Sequence, residues 1–133
     1  MLSVMDAGPR RPRARGITTL TGQRLDSVRL DHAIVLGFSG GCQVLIETVA
    51  HLRGAAVEPG EDTSDLVAEL LGDTVRTVRT GPGGDLRICF VSGAELVVAA
   101  DPDVESWAFT GPDGQLVVCL AHGEIAVWGD ARA

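Results

Sequence analysis

A chain of 133 residues, 45 % of them apolar, is long enough for one folded domain and too apolar for global disorder. Its net charge of −7 is uneven: four arginines and one acid occupy residues 1–16, and the remainder carries seven arginines against seventeen acids, a net −10. Such a body repels phosphate backbones, which argues against a nucleic-acid binder.

Residues 1–16 hold Arg10, Arg11, Arg13 and Arg15 among prolines and glycines, and are expected to form a disordered basic arm. A single β-rich domain is expected over residues 17–129, with a short tail at 130–133. Gln23–Leu30 reads as a strand. Ile34, Leu36 and Phe38 share a strand face, and Gly40-Gly41 turns the chain into a returning strand over Cys42–Val49. His51–Gly60 reads as irregular. One helix is expected next, of two turns or slightly more. Asp62, Thr63 or Ser64 is its N-cap, Leu66, Val67, Leu70 and Leu71 its apolar stripe, and Gly72 its stop.

The stretch from Asp85 to Trp128 reads as five short strands. Leu86, Ile88 and Phe90 alternate with Arg87, Cys89 and Val91, and Ser92-Gly93 turns into Glu95–Ala99. Trp107 and Phe109 face one way from the next strand. Gly111-Pro112-Asp113-Gly114 is a turn, Leu116–Leu120 is apolar on both faces, and Glu124, Ala126 and Trp128 lie opposite Ile125 and Val127. The expected core is Val28, Leu36, Phe38, Ile46, Leu66, Leu70, Val78, Ile88, Phe90, Leu96, Val98, Trp107, Val118 and Leu120.

The two halves repeat. Gly22-x-x-Leu25-x-x-Val28-Arg29 matches Gly72-x-x-Val75-x-x-Val78-Arg79, and Ile34-x-Leu36-x-Phe38 matches Leu86-x-Ile88-x-Phe90. The expected fold is therefore mainly β (α+β): a two-copy antiparallel β-meander forming a sandwich or open barrel, with one short helix. Glu105, Trp107, Gly111-Pro112, Val117-Val118-Cys119, Gly123 and Ala126-Val127-Trp128 together make a C-terminal motif. On that motif the chain resembles an uncharacterised actinobacterial family, a domain of unknown function. The resemblance implies no reaction and carries over no catalytic residue. The absence of lysine, asparagine and tyrosine, residues encoded by AT-rich codons, fits a GC-rich genome.

Candidate chemistry is sparse. His32, His51 and His122 match no zinc spacing, and Glu47 and His51 would stand about 13 Å apart along a strand. No metal and no cofactor are expected. Gly37-Phe38-Ser39-Gly40-Gly41 is not a nucleophile elbow, and Gly81-Pro82-Gly83-Gly84 is not a phosphate loop. Cys42, Cys89 and Cys119 are odd in number and sit in or beside strand patterns, as buried thiols of a reducing cytoplasm do. No apolar run is long enough for a membrane helix. The candidate ligand-binding residues are Glu105 with Trp107 and Glu124 with Trp128, as indole walls with carboxylates for a cationic group. Against this stands the tendency of tryptophan to pack in a core or shield a sheet edge. The leading expectation is a cytoplasmic, non-enzymatic interaction module that binds a protein partner, on the pattern of an immunity protein neutralising a basic toxin, or associates with itself. The alternative is a small-molecule-binding barrel or small enzyme with a site near Trp107 and Trp128.

Overall fold

In the computed structural model, which describes residues 15–30, 32–59 and 64–129, eleven strands form two antiparallel sheets. The strands are β1 (Leu25–Leu30), β2 (Ile34–Phe38), β3 (Gln43–Ile46), β4 (Ala50–Leu52), β5 (Ala55–Val57), β6 (Val75–Thr80), β7 (Leu86–Phe90), β8 (Glu95–Val98), β9 (Trp107–Thr110), β10 (Leu116–Cys119) and β11 (Ile125–Trp128). One short helix, α1 (Ser64–Ala68), lies between β5 and β6. The first sheet runs β11-β10-β9-β3-β2-β1 and the second β5-β4-β8-β7-β6. Neither sheet closes on itself, so there is no closed barrel, and the two sheets are those of a sandwich.

The chain exchanges strands between the sheets. The meander β1-β2-β3 lies in the first sheet, but β4 crosses over and pairs Ala50 with Val98 of β8. The meander β6-β7-β8 lies in the second sheet, but β9 crosses back and pairs Trp107 with Ile46 of β3. Each sheet is thus completed by strands from the other half of the sequence. At one end, β1 and β6 meet through a bridge between Arg24 and Thr74. Four main-chain bonds surround it. Gly22 N–H donates to Val75 and Gly72 N–H to Leu25, both at 2.8 Å. Leu25 N–H donates to Asp73 and Val75 N–H to Gln23, both at 2.9 Å. The bulges between Leu25 and Ser27 in β1 and between Val75 and Thr77 in β6 occupy matching places.

Alternation builds the core. In β2 and β7 the burial pattern is the same: Ile34, Leu36 and Phe38 turn inward in one, Leu86, Ile88 and Phe90 in the other. Each fully buried side chain of this kind contributes roughly 1.5–3 kcal/mol of burial free energy. Ile17 and Leu20, on a 3-10 turn over Arg15–Leu20, and Val67 and Leu70, on α1 and the turn after it, complete the same core.

Several expectations need correction. His51–Gly60 is not irregular: β4 and β5 form a hairpin whose central residues Arg53 and Gly54 both take positive φ, 53° and 85°. That is the backbone requirement of a type I′ turn, met here with arginine where asparagine is the usual signal. Among the described residues the helix spans Ser64–Ala68, and it ends there because the chain tightens into bonds from Leu70 N–H to Val67 and Leu71 N–H to Ala68. Its expected cap residues Asp62 and Thr63, most of the basic arm and the tail at 130–133 lie outside the described residues. The strand after Gly41 covers only Gln43–Ile46. Val28, Leu66 and Leu120 are half-buried, while Phe109, Val117 and Leu25 are core residues not expected as such.

Candidate functional site

The two tryptophans occupy opposite faces of the first sheet. Trp107 is paired in register with Ile46 on one side and Cys119 on the other, on the inward face. It is 1 % exposed, and its indole N–H donates to the Gly84 carbonyl at 2.9 Å. The Cys119 thiol donates to the same carbonyl at 3.3 Å. This carbonyl belongs to the loop between β6 and β7, so Trp107 ties the two sheets together through a bond made in a dry environment. The loop approaches closely: a Cβ on Gly84, whose φ is 92°, would run into the Gly123 backbone. Glycine at both positions permits that contact.

Trp128 is 51 % exposed. It stands opposite Leu116 in β10, whose inward residues are Val117 and Cys119, so it projects to the outer face. Glu105 precedes β9 and is exposed, whereas Trp107 is buried. Glu124 is exposed just before β11, in phase with Ala126 and Trp128. The structure therefore keeps Glu124 and Trp128 on one face, and does not join them to Trp107 in a shared groove.

The outer face that carries Trp128 is unusual. Across the sheet in register run Ala126, Val118, Ala108, Leu45 and Val35, with Arg29 only at the far edge. Leu116 and Trp128 flank this row on the next line. Solvent-facing positions of an antiparallel sheet are ordinarily polar. The second sheet is more polar: its outer row runs Ala56, His51, Val97, Arg87 and Arg79, with Arg87 held by Asp85 at 3.0 Å and Glu95 at 3.7 Å. A five-residue apolar row on one face alone is the signal that reading single strands missed, since it exists only once the strands are side by side.

The family model for DUF6188, a family of unknown function, matches residues 17–129. The chain belongs to that family. No curated protein and no solved structure matches it.

In this DUF6188 domain three buried polar atoms, Thr48 Oγ1, Ser106 Oγ and Gln115 Oε1, have no hydrogen-bond partner among the described residues. Burial pushes the Cys119 thiol above its ordinary value; the Ser106 hydroxyl opposes this and the Asp85 charge adds to it. Burial likewise raises Cys42, partly offset by its bond from Gln23. Cys89 differs from the expectation of a buried thiol: it is half-buried on the charged outer face, with its Sγ 3.6 Å from a Glu95 carboxylate oxygen. Buried thiols raised in this way are poor nucleophiles, which applies to Cys42 and Cys119. Among the described residues no cluster of three or more histidine, cysteine, aspartate or glutamate side chains could hold a metal. No helix among them is long and apolar enough to cross a membrane.

Proposed function

We propose that this domain is a non-enzymatic protein-interaction module, and that its docking surface is the outer face of the first sheet. The apolar row from Ala126 to Val35, with Leu116 and Trp128 beside it, carries this reading: Trp128 is exposed and Ala126, Ala108, Leu45, Val35 and Leu116 are half-buried, while Val118 between them is buried. Contiguous apolar surface rimmed by polar residues costs solubility unless something covers it. The partner that fits is a protein with an apolar strip and a basic rim, because the chain after residue 16 is net acidic. Neutralisation of a basic toxin, as immunity proteins perform, is one concrete form. The proposed setting is the cytoplasm, for which the three unpaired thiols speak. The proposed source is an actinobacterium, for which the arginine-only basic residues speak.

The reciprocal bonds about Arg24 and Thr74 support reading the chain as a duplicated unit whose halves exchanged strands. A small-molecule site between Trp107 and Trp128 draws no support from indoles on opposite sheet faces.

The test is comparative capture from the native host. Wild-type protein, the double variant Leu45→Asp/Leu116→Asp and the opposite-face variant Arg87→Ala are used as baits. A stoichiometric protein partner held by wild type and R87A but lost from L45D/L116D is expected. Equal recovery by all three baits refutes the surface, and the absence of any stoichiometric partner refutes the function.

A further inference from the structure

The two sheets have four edges, and three of them are protected. β1 and β6 each carry a bulge, polar outward residues such as Asp26 and Arg76, and the shared bridge at Arg24 and Thr74. β5 is only three residues long. Bulges, charges and short length are the devices that stop sheet edges from pairing with other chains. The fourth edge, β11, has none of them: Ile125-Ala126-Val127-Trp128 is uncharged, free of proline and regular in register with β10.

The direction of its main-chain groups follows from one bond. Leu120 N–H donates to the Glu124 carbonyl at 2.7 Å, so Glu124 faces β10 with its polar backbone groups. Antiparallel ladders alternate. Ala126 and Trp128 therefore also bond toward β10, and Ile125 and Val127 turn their N–H and C=O groups to the outside. No backbone bond among the described residues uses either outward N–H.

We propose that β11 pairs antiparallel with β11 of a second copy, about a twofold axis at Ala126. In this register Ile125 lies opposite Val127 of the second copy and Val127 opposite Ile125, which satisfies all four outward N–H and C=O groups on each chain's edge. A register centred on Ile125 or on Val127 brings fewer of them together. The close, non-bonded position on the axis is filled by two alanines, which fit where larger side chains crowd. The faces agree: Ala126 meets Ala126 on the outer side, and Ile125 meets Val127 on the inner side. Trp128, half exposed in one copy, comes opposite Glu124 of the second copy. Two six-stranded sheets become one of twelve, and their apolar outer rows run on from one copy to the other. The occupant is self because the free donor and acceptor pattern is its own complement. This pairing uses the edge and not the sheet face, so it stands or falls separately from capture of another protein.

Sedimentation equilibrium and native mass spectrometry of the full chain provide the test. Wild type is expected at twice the 13.9 kDa chain mass, and Ala126→Lys, which places two like charges on the axis, at the single mass. Ala126→Cys is expected to form a covalent dimer with oxidised glutathione, whereas Glu124→Cys, opposite Trp128 and far from its own copy, is not. A wild type that is monomeric at its highest soluble concentration, with no cross-link through A126C, overturns the proposal. So does a dimer that survives A126K and gives no A126C cross-link, since it forms elsewhere. If A126K fails to fold, the two cysteine variants decide alone.

Discussion

Trp107 and Trp128 are the same residue type with opposite consequences. Replacing Trp107 by Phe removes buried volume and leaves the Gly84 carbonyl with only the weak Cys119 thiol donor. A loss of about 2–4 kcal/mol is expected from the cavity and the orphaned acceptor together. Trp128→Phe is expected to stay within about 0.5 kcal/mol, since the side chain is half in water and makes no indole bond among the described residues. Denaturant unfolding of both variants measures the difference, and a small loss for W107F would contradict the role assigned to its indole. The thiols divide in the same way. Cys89 is expected to react with a disulfide reagent in the folded protein, and Cys42 and Cys119, both buried, only after unfolding. One fast equivalent and two slow ones is the predicted count.

Elements here are short, and turn chemistry decides them. The β4–β5 hairpin forces Arg53 to a φ of 53°, a conformation that costs a non-glycine residue about 1–2 kcal/mol. Its exposed ion pair with Glu69, at 3.1 Å, returns only about 0–1 kcal/mol. Arg53→Asn is therefore expected to raise stability slightly, by about 0.5–1 kcal/mol, read as a higher unfolding midpoint. A lower midpoint would mean that the ion pair outweighs the strain. Leu20 and Leu70 are both fully buried, one on a 3-10 turn and one just after α1. Truncation of either to alanine is expected to cost about 2–5 kcal/mol, with similar values for the two. Unequal losses would separate the packing of the two halves despite their matched main-chain bonds.

At the scale of the whole molecule, stability is coupled to pH through the buried thiols. Burial raises the folded-state values of Cys42 and Cys119 above the ordinary thiol value of 9.0. The sign follows: both states hold the proton below that value, so the contribution is complete there. As pH rises the unfolded chain releases its thiol protons first, and the contribution is lost by the time the folded values are passed. Unfolding midpoints are expected to fall above about pH 9, and the fall to shrink in Cys42→Ala/Cys119→Ala. A pH response unchanged by the double variant would assign it to other groups. The strand exchange also makes a prediction of scale: residues 17–60 and 61–129 complete each other's sheets, so unfolding is expected to be one cooperative step by fluorescence and circular dichroism alike.

Period-two alternation and glycine-rich turns were enough to place most strands and to put Ile125 and Val127 opposite Ala126 and Trp128, while the resemblance of the C-terminal motif pointed to a family of unknown function. Those features are local, and a strand's two faces follow from its own residues. Other features depended on what lies beside each strand. Val117 and Val118 are chemically alike and both buried, as expected for Val118, and only the pairing of β10 with β9 and β11 decides that Val117 lies on the inward face and Val118 on the outer one. The β4–β5 hairpin was hidden because its strands are three residues long and its turn uses arginine. The separation of the two tryptophans, the apolar outer row and the unprotected edge of β11 were decided by tertiary structure alone. Each is a relation between residues far apart in the chain, and strand order, which sets such relations, is fixed by packing across both halves rather than by any local pattern.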